Sequence, residues 1–263
     1  MTRQIYEIKM IFSIFLQKFL TIYGDLGTKS SFLGIVGSEE GVYFCSRKKI
    51  QSNMSNRLFS KIFSNARKPE GFFGRMMVNG MNGGSHARMA QWGLSFVNIN
   101  ENASVLDVGC GGGANVARLL ELAPKGRVEG IDYSPVSVKK SKAVNAKAIA
   151  AGRCRIQEGS AAALPYADGE FDLVTAFETV YFWPGIEECF RGVRRTLKEG
   201  GRFLIVNEDD GLTGNNEKWE KMIDGMHTYT PDELRNYLTA AGFHDIDVHI
   251  NDQHHWLCVT AIR

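Results

Sequence analysis

The sequence predicts an α/β fold with a doubly wound, mostly parallel sheet of seven strands and an antiparallel C-terminal hairpin strand. Three observations carry that expectation. From residue 101 onward, short apolar runs alternate with segments of helical periodicity. A glycine cluster, Gly109 to Gly113 with Cys110 inside it, separates the first apolar run from the first helical segment. The last two runs, "HDIDVHI" and "HWLCVTAI", lie too close together to hold a crossover helix and therefore pair antiparallel.

The elements follow in order. "GSHARMAQWGLSFV" places Met89, Trp92 and Phe96 on one helical stripe. "SVLDV" (104–108) reads as a strand, and the helix after the glycines buries Val116, Leu119, Leu120 and Ala123. "RVEGI" (127–131) is the second strand. Ser134 and Pro135 supply an N-cap and an N1 proline for a helix running to about Ala151. "CRIQ" (154–157) and "FDLVTAF" (171–177) are further strands. Ile186, Cys189, Phe190, Val193 and Leu197 recur at helical spacing before Gly200-Gly201, and "RFLIV" (202–206) is a fifth strand. Thr230-Pro231-Asp232-Glu233 is a capping box for a helix carrying Leu234 and Leu238, which stops at Gly242.

Composition bounds the rest. At 263 residues and 44% hydrophobic content, the chain can bury a large core without disulfide staples. A net charge of +2, with no block of five like charges, gives no nucleic-acid signal. Five scattered cysteines, Cys45, Cys110, Cys154, Cys189 and Cys258, form no C-x-x-C pair and suit a reducing cytoplasm. His249, His254 and His255 read as edge-strand or surface residues, so no metal site is expected.

Three segments are expected. Residues 1–53 read as a poorly ordered or non-native extension, with Met54 as the natural start; no strand pattern is apparent there. The apolar stretch at 10–16 is far below the roughly 20 residues that span a bilayer. Residues 54–100 read as an N-terminal helical cover, and 101–263 as the ligand-binding domain.

Ligands of doubly wound sheets sit beyond the carboxyl ends of the strands, where strand order reverses. Gly109-x-Gly111-x-x-Ala114 satisfies the Rossmann-like dinucleotide fingerprint, and Asp132 ends the next strand, placed to accept the hydroxyls of an adenosine ribose. A nicotinamide cofactor fits that far. Asp107, two residues ahead of Gly109, separates the readings. Its carboxylate repels a pyrophosphate, but attracts an ammonium or sulfonium by roughly 4 kcal/mol at about 4 Å with an effective dielectric near 20, before desolvation. A ligand with adenosine at one end and a cationic amino-acid moiety at the other satisfies both carboxylates. S-adenosyl-L-methionine is such a molecule.

"VLDVGCGGG", "VEGIDYS", "EGSAAALPYADGEFDLV" and "LKEGGRFLIV" together resemble the class I S-adenosylmethionine-dependent methyltransferases. The likeness is greatest to the small-molecule group that contains the ubiquinone and menaquinone methylases, and it covers about residues 84 to 262. The resemblance implies that Asp107, Gly109, Cys110 and Gly111 hold the methionine portion. It implies that Asp132 takes the ribose hydroxyls, with Tyr133 flanking the adenine. Ser160 and Ala161 would meet the adenine edge, and Phe177 would continue the cofactor floor. Ser160 departs from the acidic residue many relatives carry there, and a hydroxyl accepts more weakly than a carboxylate. Cys110 reads as a small packing residue, since nothing nearby in sequence activates it.

The family chemistry is direct displacement at the sulfonium methyl, so positioning and desolvation fall to the protein. Acceptor-side candidates at the strand exits are Tyr181, Glu208 and His227. Glu208-Asp209-Asp210 also reads as a solvated loop. The Asn/Asp-Pro-Pro-aromatic tetrad of nucleic-acid amino methylases is replaced by "FETVYFW", which counts against DNA or RNA bases. The catechol-type carboxylate set for a metal is not recognisable. The expected partner is a small-molecule acceptor, with no membrane span and an oligomeric state the sequence leaves open. An NAD-dependent oxidoreductase and a non-catalytic S-adenosylmethionine-binding module are the alternatives.

Overall fold

The computed structural model describes residues 34–38, 41–45, 85–212, 220–221 and 223–263. The chain divides into two units, residues 1–52 and 53–263. In the first, β1 (Gly34–Ser38) and β2 (Gly41–Cys45) pair antiparallel in register Gly34↔Cys45 to Ser38↔Gly41. These two strands correct the expectation that residues 1–53 hold none. "GIVGS" and "GVYFC" are short, and their glycines mask the β-branched and aromatic content that favours strands. The aromatic run at 9–24 and the expected cover over 54–84 lie outside the described residues.

Among the described residues of the second unit, the first element is α1 (Ser85–Leu94), the predicted stripe. Then follow β3 (Ser104–Val108), α2 (Ala114–Leu122), β4 (Arg127–Asp132), α3 (Pro135–Val144), α4 (Ala146–Ala150) and β5 (Cys154–Glu158). Next come β6 (Phe171–Phe177), α5 (Ile186–Thr196), β7 (Leu197–Asn207), α6 (Pro231–Ala240), β8 (His244–Asn251) and β9 (Trp256–Ile262). The seven-stranded sheet has the order β5-β4-β3-β6-β7-β9-β8. β3 to β7 are parallel; β8 and β9 pair antiparallel, as predicted, and β9 also runs antiparallel to β7. Strand order reverses between β3 and β6, where Asp107 stands opposite Thr175.

Both faces of the central strands are buried, because their successive residues feed opposite cores. Leu106, Ala176, Phe203 and Ile205 pack with α5 and α6 through Phe190, Val193, Leu234 and Leu238. Val105, Leu173, Leu204 and Val206 pack with α1, α2 and α3 through Met89, Val116, Leu119 and Val138. α1 approaches the sheet closely at Gly93, where an added Cβ would lie 2.4 Å from Val206 Cγ2.

Two element boundaries depart from the sequence pattern. The helix expected to continue to Ala151 breaks at Asn145, which is buried and donates from its amide to the Gly113 and Ser141 carbonyls, each at 3.0 Å. That break fastens the helix to the glycine loop. The strand expected at 202–206 begins at Leu197, because Leu197 already pairs with Phe171 before a register shift. Both caps hold as read. Ser134 accepts from Ser137 N at 3.3 Å, and Thr230 and Glu233 exchange the two bonds of a capping box.

Candidate active site at the carboxyl edge of the sheet

The glycine loop leaves β3 at the point of strand-order reversal. Gly109, Gly111 and Gly113 all have left-handed backbones, with φ of 78°, 51° and 83°. Gly109 and Cys110 donate their N–H groups to Ile131 O at 2.8 and 3.0 Å, tying the loop to the end of β4. An added Cβ at Gly109 would lie 2.1 Å from Thr179 Oγ1, and one at Gly113 would lie 2.5 Å from Ser141 Oγ. At Gly111 it would meet nothing nearer than 4.0 Å. The loop is closed against protein at both ends and open at its middle.

Two carboxylates border that opening. Asp107 is 2% exposed, and its Oδ1 accepts from Thr175 Oγ1 at 2.7 Å. Burial pushes its pKa up to about 7, the Thr175 bond opposes the rise, and the neighbouring Asp132 charge adds to it. Asp132 accepts from Gly111 N at 2.9 Å through Oδ2 and from Ser134 N at 2.8 Å through Oδ1. A carboxylate has about four lone-pair sites, so each oxygen keeps one for a ligand hydroxyl. Cys110 is buried, and burial with the charges of Asp132 and Asp107 holds its thiol well above the usual range. It packs as a neutral thiol, 3.8 Å from Ser141 Oγ.

The remaining residues expected on the cofactor side follow the strands at the same edge. Tyr133 is half-buried directly after β4, and Phe177 is buried at the end of β6. Ser160 spends its hydroxyl locally, accepting from Ala162 N at 3.2 Å as the cap of the 3₁₀ turn Ala161–Ala163. A serine so engaged is a poorer adenine acceptor than the carboxylate it replaces.

Of the three residues expected on the acceptor side, Tyr181 and Glu208 come together and His227 does not join them. Tyr181 is buried; its hydroxyl donates to Glu178 Oε1 at 3.1 Å and accepts from Glu208 N at 3.1 Å. Glu208 N also donates to Glu178 Oε1. The His227 ring instead faces Glu220 and Glu233, 3.6 and 3.8 Å away, and only its backbone N–H reaches Tyr181 O, at 3.0 Å. The acidic triplet splits. Asp209 and Asp210 accept from the N–H of Gly211 and Leu212 and shape their own loop, while Glu208 faces His86 at 3.9 Å.

Glu178 is the residue the sequence reading missed. It stands directly after β6 with φ of 60°, an uncommon conformation for a side-chain-bearing residue. Burial and the Glu208 charge hold its carboxyl well above the usual range. An acid at a strand exit was the available signal, in "FETVYFW", but nothing in the periodicity shows which way it turns.

Comparison with known proteins fits this geometry. A family profile described as a methyltransferase domain matches residues 99–242. The chain belongs to the class I S-adenosylmethionine-dependent methyltransferases. It is 31% identical over 144 residues to 27-O-demethylrifamycin SV methyltransferase of Amycolatopsis mediterranei, covering 52% of this chain and 53% of that protein. Demethylmenaquinone methyltransferase of Lactiplantibacillus plantarum is 30% identical over 124 residues, covering 47% and 52%. The aligned region thus spans about half the length of these relatives. Among solved structures, a methyltransferase from Aquifex aeolicus superposes with a TM-score of 0.60 at 17% identity, covering 72% of this chain and 97% of that one. The putative methyltransferase in complex with the Haloferax volcanii Trm112 activator gives 0.63 at 22%, covering 72% and 93%. At those identities the likeness speaks to the fold.

The cofactor of this family is S-adenosyl-L-methionine, and the residues present fit it. The open face of Gly111 admits a ligand against bare backbone, and the nearby carboxylates suit a cation and a diol.

Proposed function

We propose that this methyltransferase domain transfers the methyl group of S-adenosyl-L-methionine to a small-molecule acceptor, which enters beside Tyr181, Glu178 and Glu208. The observation that carries the reading is the loop open at Gly111 beside Asp107 and Asp132, at the reversal of strand order. The cofactor supplies an electrophilic methyl on a sulfonium.

What the chain contributes is placement. Asp107 sets a buried negative charge where the cationic amino-acid end lies, and Asp132 both shapes the loop and presents lone pairs to the ribose. Cys110 and Phe177 exclude water from the floor. Tyr181 and Glu208 close the acceptor side. "FETVYFW" supports a small molecule over a nucleic-acid base. No helix among the described residues is long and apolar enough to cross a membrane, and the cysteine usage supports a cytoplasmic setting.

Calorimetric titration with S-adenosylmethionine, its demethylated product and NADH tests the cofactor, and labelled methyl transfer into a metabolite extract tests the reaction. Binding of the first two with label incorporated is the expected result. NADH binding without S-adenosylmethionine binding overturns the reading. Cofactor binding with no label transferred to any small molecule leaves a binding module instead.

A further inference from the structure

Three side chains from separate elements converge beside the acceptor edge: His86 on the first turn of α1, Glu178 directly after β6 and Glu208 directly after β7. One donor atom from each lies within 4.8 Å of the other two. Among the described residues no other group of three His, Cys, Asp or Glu meets that spacing. We propose that His86, Glu178 and Glu208 bind one first-row divalent metal ion, with its remaining coordination positions open to solvent or ligand.

The donor chemistry is the first reason. An imidazole with two carboxylates is a mixed nitrogen and oxygen set of the kind that takes Mn²⁺ or Zn²⁺, and three protein ligands leave an open site. The spacing is the second. His86 Nδ1 and Glu208 Oε2 stand 3.9 Å apart, too far for a hydrogen bond. Two ligands about 2.1 Å from one ion are that far apart at an angle of roughly 135°. Support around the ligands is the third. Glu178 Oε1 receives the Tyr181 hydroxyl and the Glu208 N–H, which fixes the carboxylate plane.

Place in the fold gives the ion a role. It would stand at the carboxyl edge of two central parallel strands, where such sheets bind ligands. An ion there holds an acceptor oxygen and lowers the pKa of a bound hydroxyl, pointing to an oxygen nucleophile. That role rests on the methyltransferase reading; the site itself does not.

The test is titration of Mn²⁺ into the untagged, chelator-treated full chain at pH 8 without cofactor, with the free aqua ion followed by electron paramagnetic resonance. The expected result is one saturable ion per chain. Glu208→Gln and Glu178→Gln should each weaken it at least tenfold, while Glu101→Gln, an exposed partner of Lys125, leaves it unchanged. Circular dichroism checks folding. Should Glu178→Gln misfold, His86→Ala and Glu208→Gln carry the comparison, since both side chains are partly exposed. Absence of a saturable ion, or equal affinity in folded His86 and Glu208 variants, overturns the proposal. Calorimetry with S-adenosylmethionine on the same samples keeps the two readings apart. Cofactor binding without Mn²⁺ binding sinks the metal alone, and the reverse sinks the methyltransferase reading alone.

Discussion

At the scale of single residues, Asp107 links ligand binding to pH. Its usual pKa of 3.8 is pushed up to about 7 in the folded chain by burial. A carboxyl raised on folding binds more protons in the native state than in the unfolded state between those values. Its contribution to stability therefore falls as pH rises from near 4 through about 7. A cationic ligand end needs the ionised form, so the affinity for S-adenosylmethionine should rise with pH below about 7, by at most about tenfold per unit, and level off above. Calorimetry at pH 6 and 8, in two buffers of different ionisation enthalpy, should show a proton released at the lower pH. Asp107→Asn should abolish that release. Asp132 carries a second prediction. Its two oxygens satisfy Gly111 N and Ser134 N, so Asp132→Ala should cost ~1–3 kcal/mol of folding stability besides weakening the cofactor. Urea unfolding beside calorimetry separates the two effects. The places of Asp107 and Asp132 at strand ends beside the glycine loop were legible because strand ends and glycine spacing are one-dimensional signals. The turn of Glu178 was not, since it depends on a left-handed φ and on contacts with Tyr181 and Glu208.

Whole elements were readable where one core face set the period, as in α2 and α5, and where an unbroken apolar run marked a strand buried on both faces, as in β6. Boundaries were not, where a tertiary contact decides them. Asn145 stops α3 because Gly113 O needs its amide, and β7 starts early because Phe171 lies beside Leu197. Contact between α1 and β7 gives the prediction that belongs here. Gly93 lets the helix backbone approach Val206 so closely that a methyl group would overlap a β-branched side chain with little freedom to turn. Gly93→Ala should destabilise the fold by ~1–3 kcal/mol through overpacking, although alanine is the better helix former. Gly93→Ala with Val206→Ala should recover part of the loss. A midpoint in urea unchanged from the parent chain would show that α1 shifts freely. His227, by contrast, sits on a loop whose ring faces Glu220 and Glu233, so His227→Phe should leave cofactor affinity within about twofold.

For the molecule as a whole, the question is which part of the chain the site requires. Every strand of the seven-stranded sheet lies between Ser104 and Ile262, and the family match begins at residue 99. Among the described residues, β1 and β2 form a sheet of two strands. Among the described residues, both buried cores draw on side chains from Met89 to Ala261, and the site's supports, Thr175, Ser141, Asn145 and Ile131, belong to the second unit. A truncated chain starting at Met54, of 263 − 53 = 210 residues, should therefore bind S-adenosylmethionine within about twofold of the full chain. It should also unfold in urea with the same midpoint for the site-bearing unit. Aggregation of the truncated chain, or a cofactor affinity lowered tenfold or more, would show that the first unit completes the site.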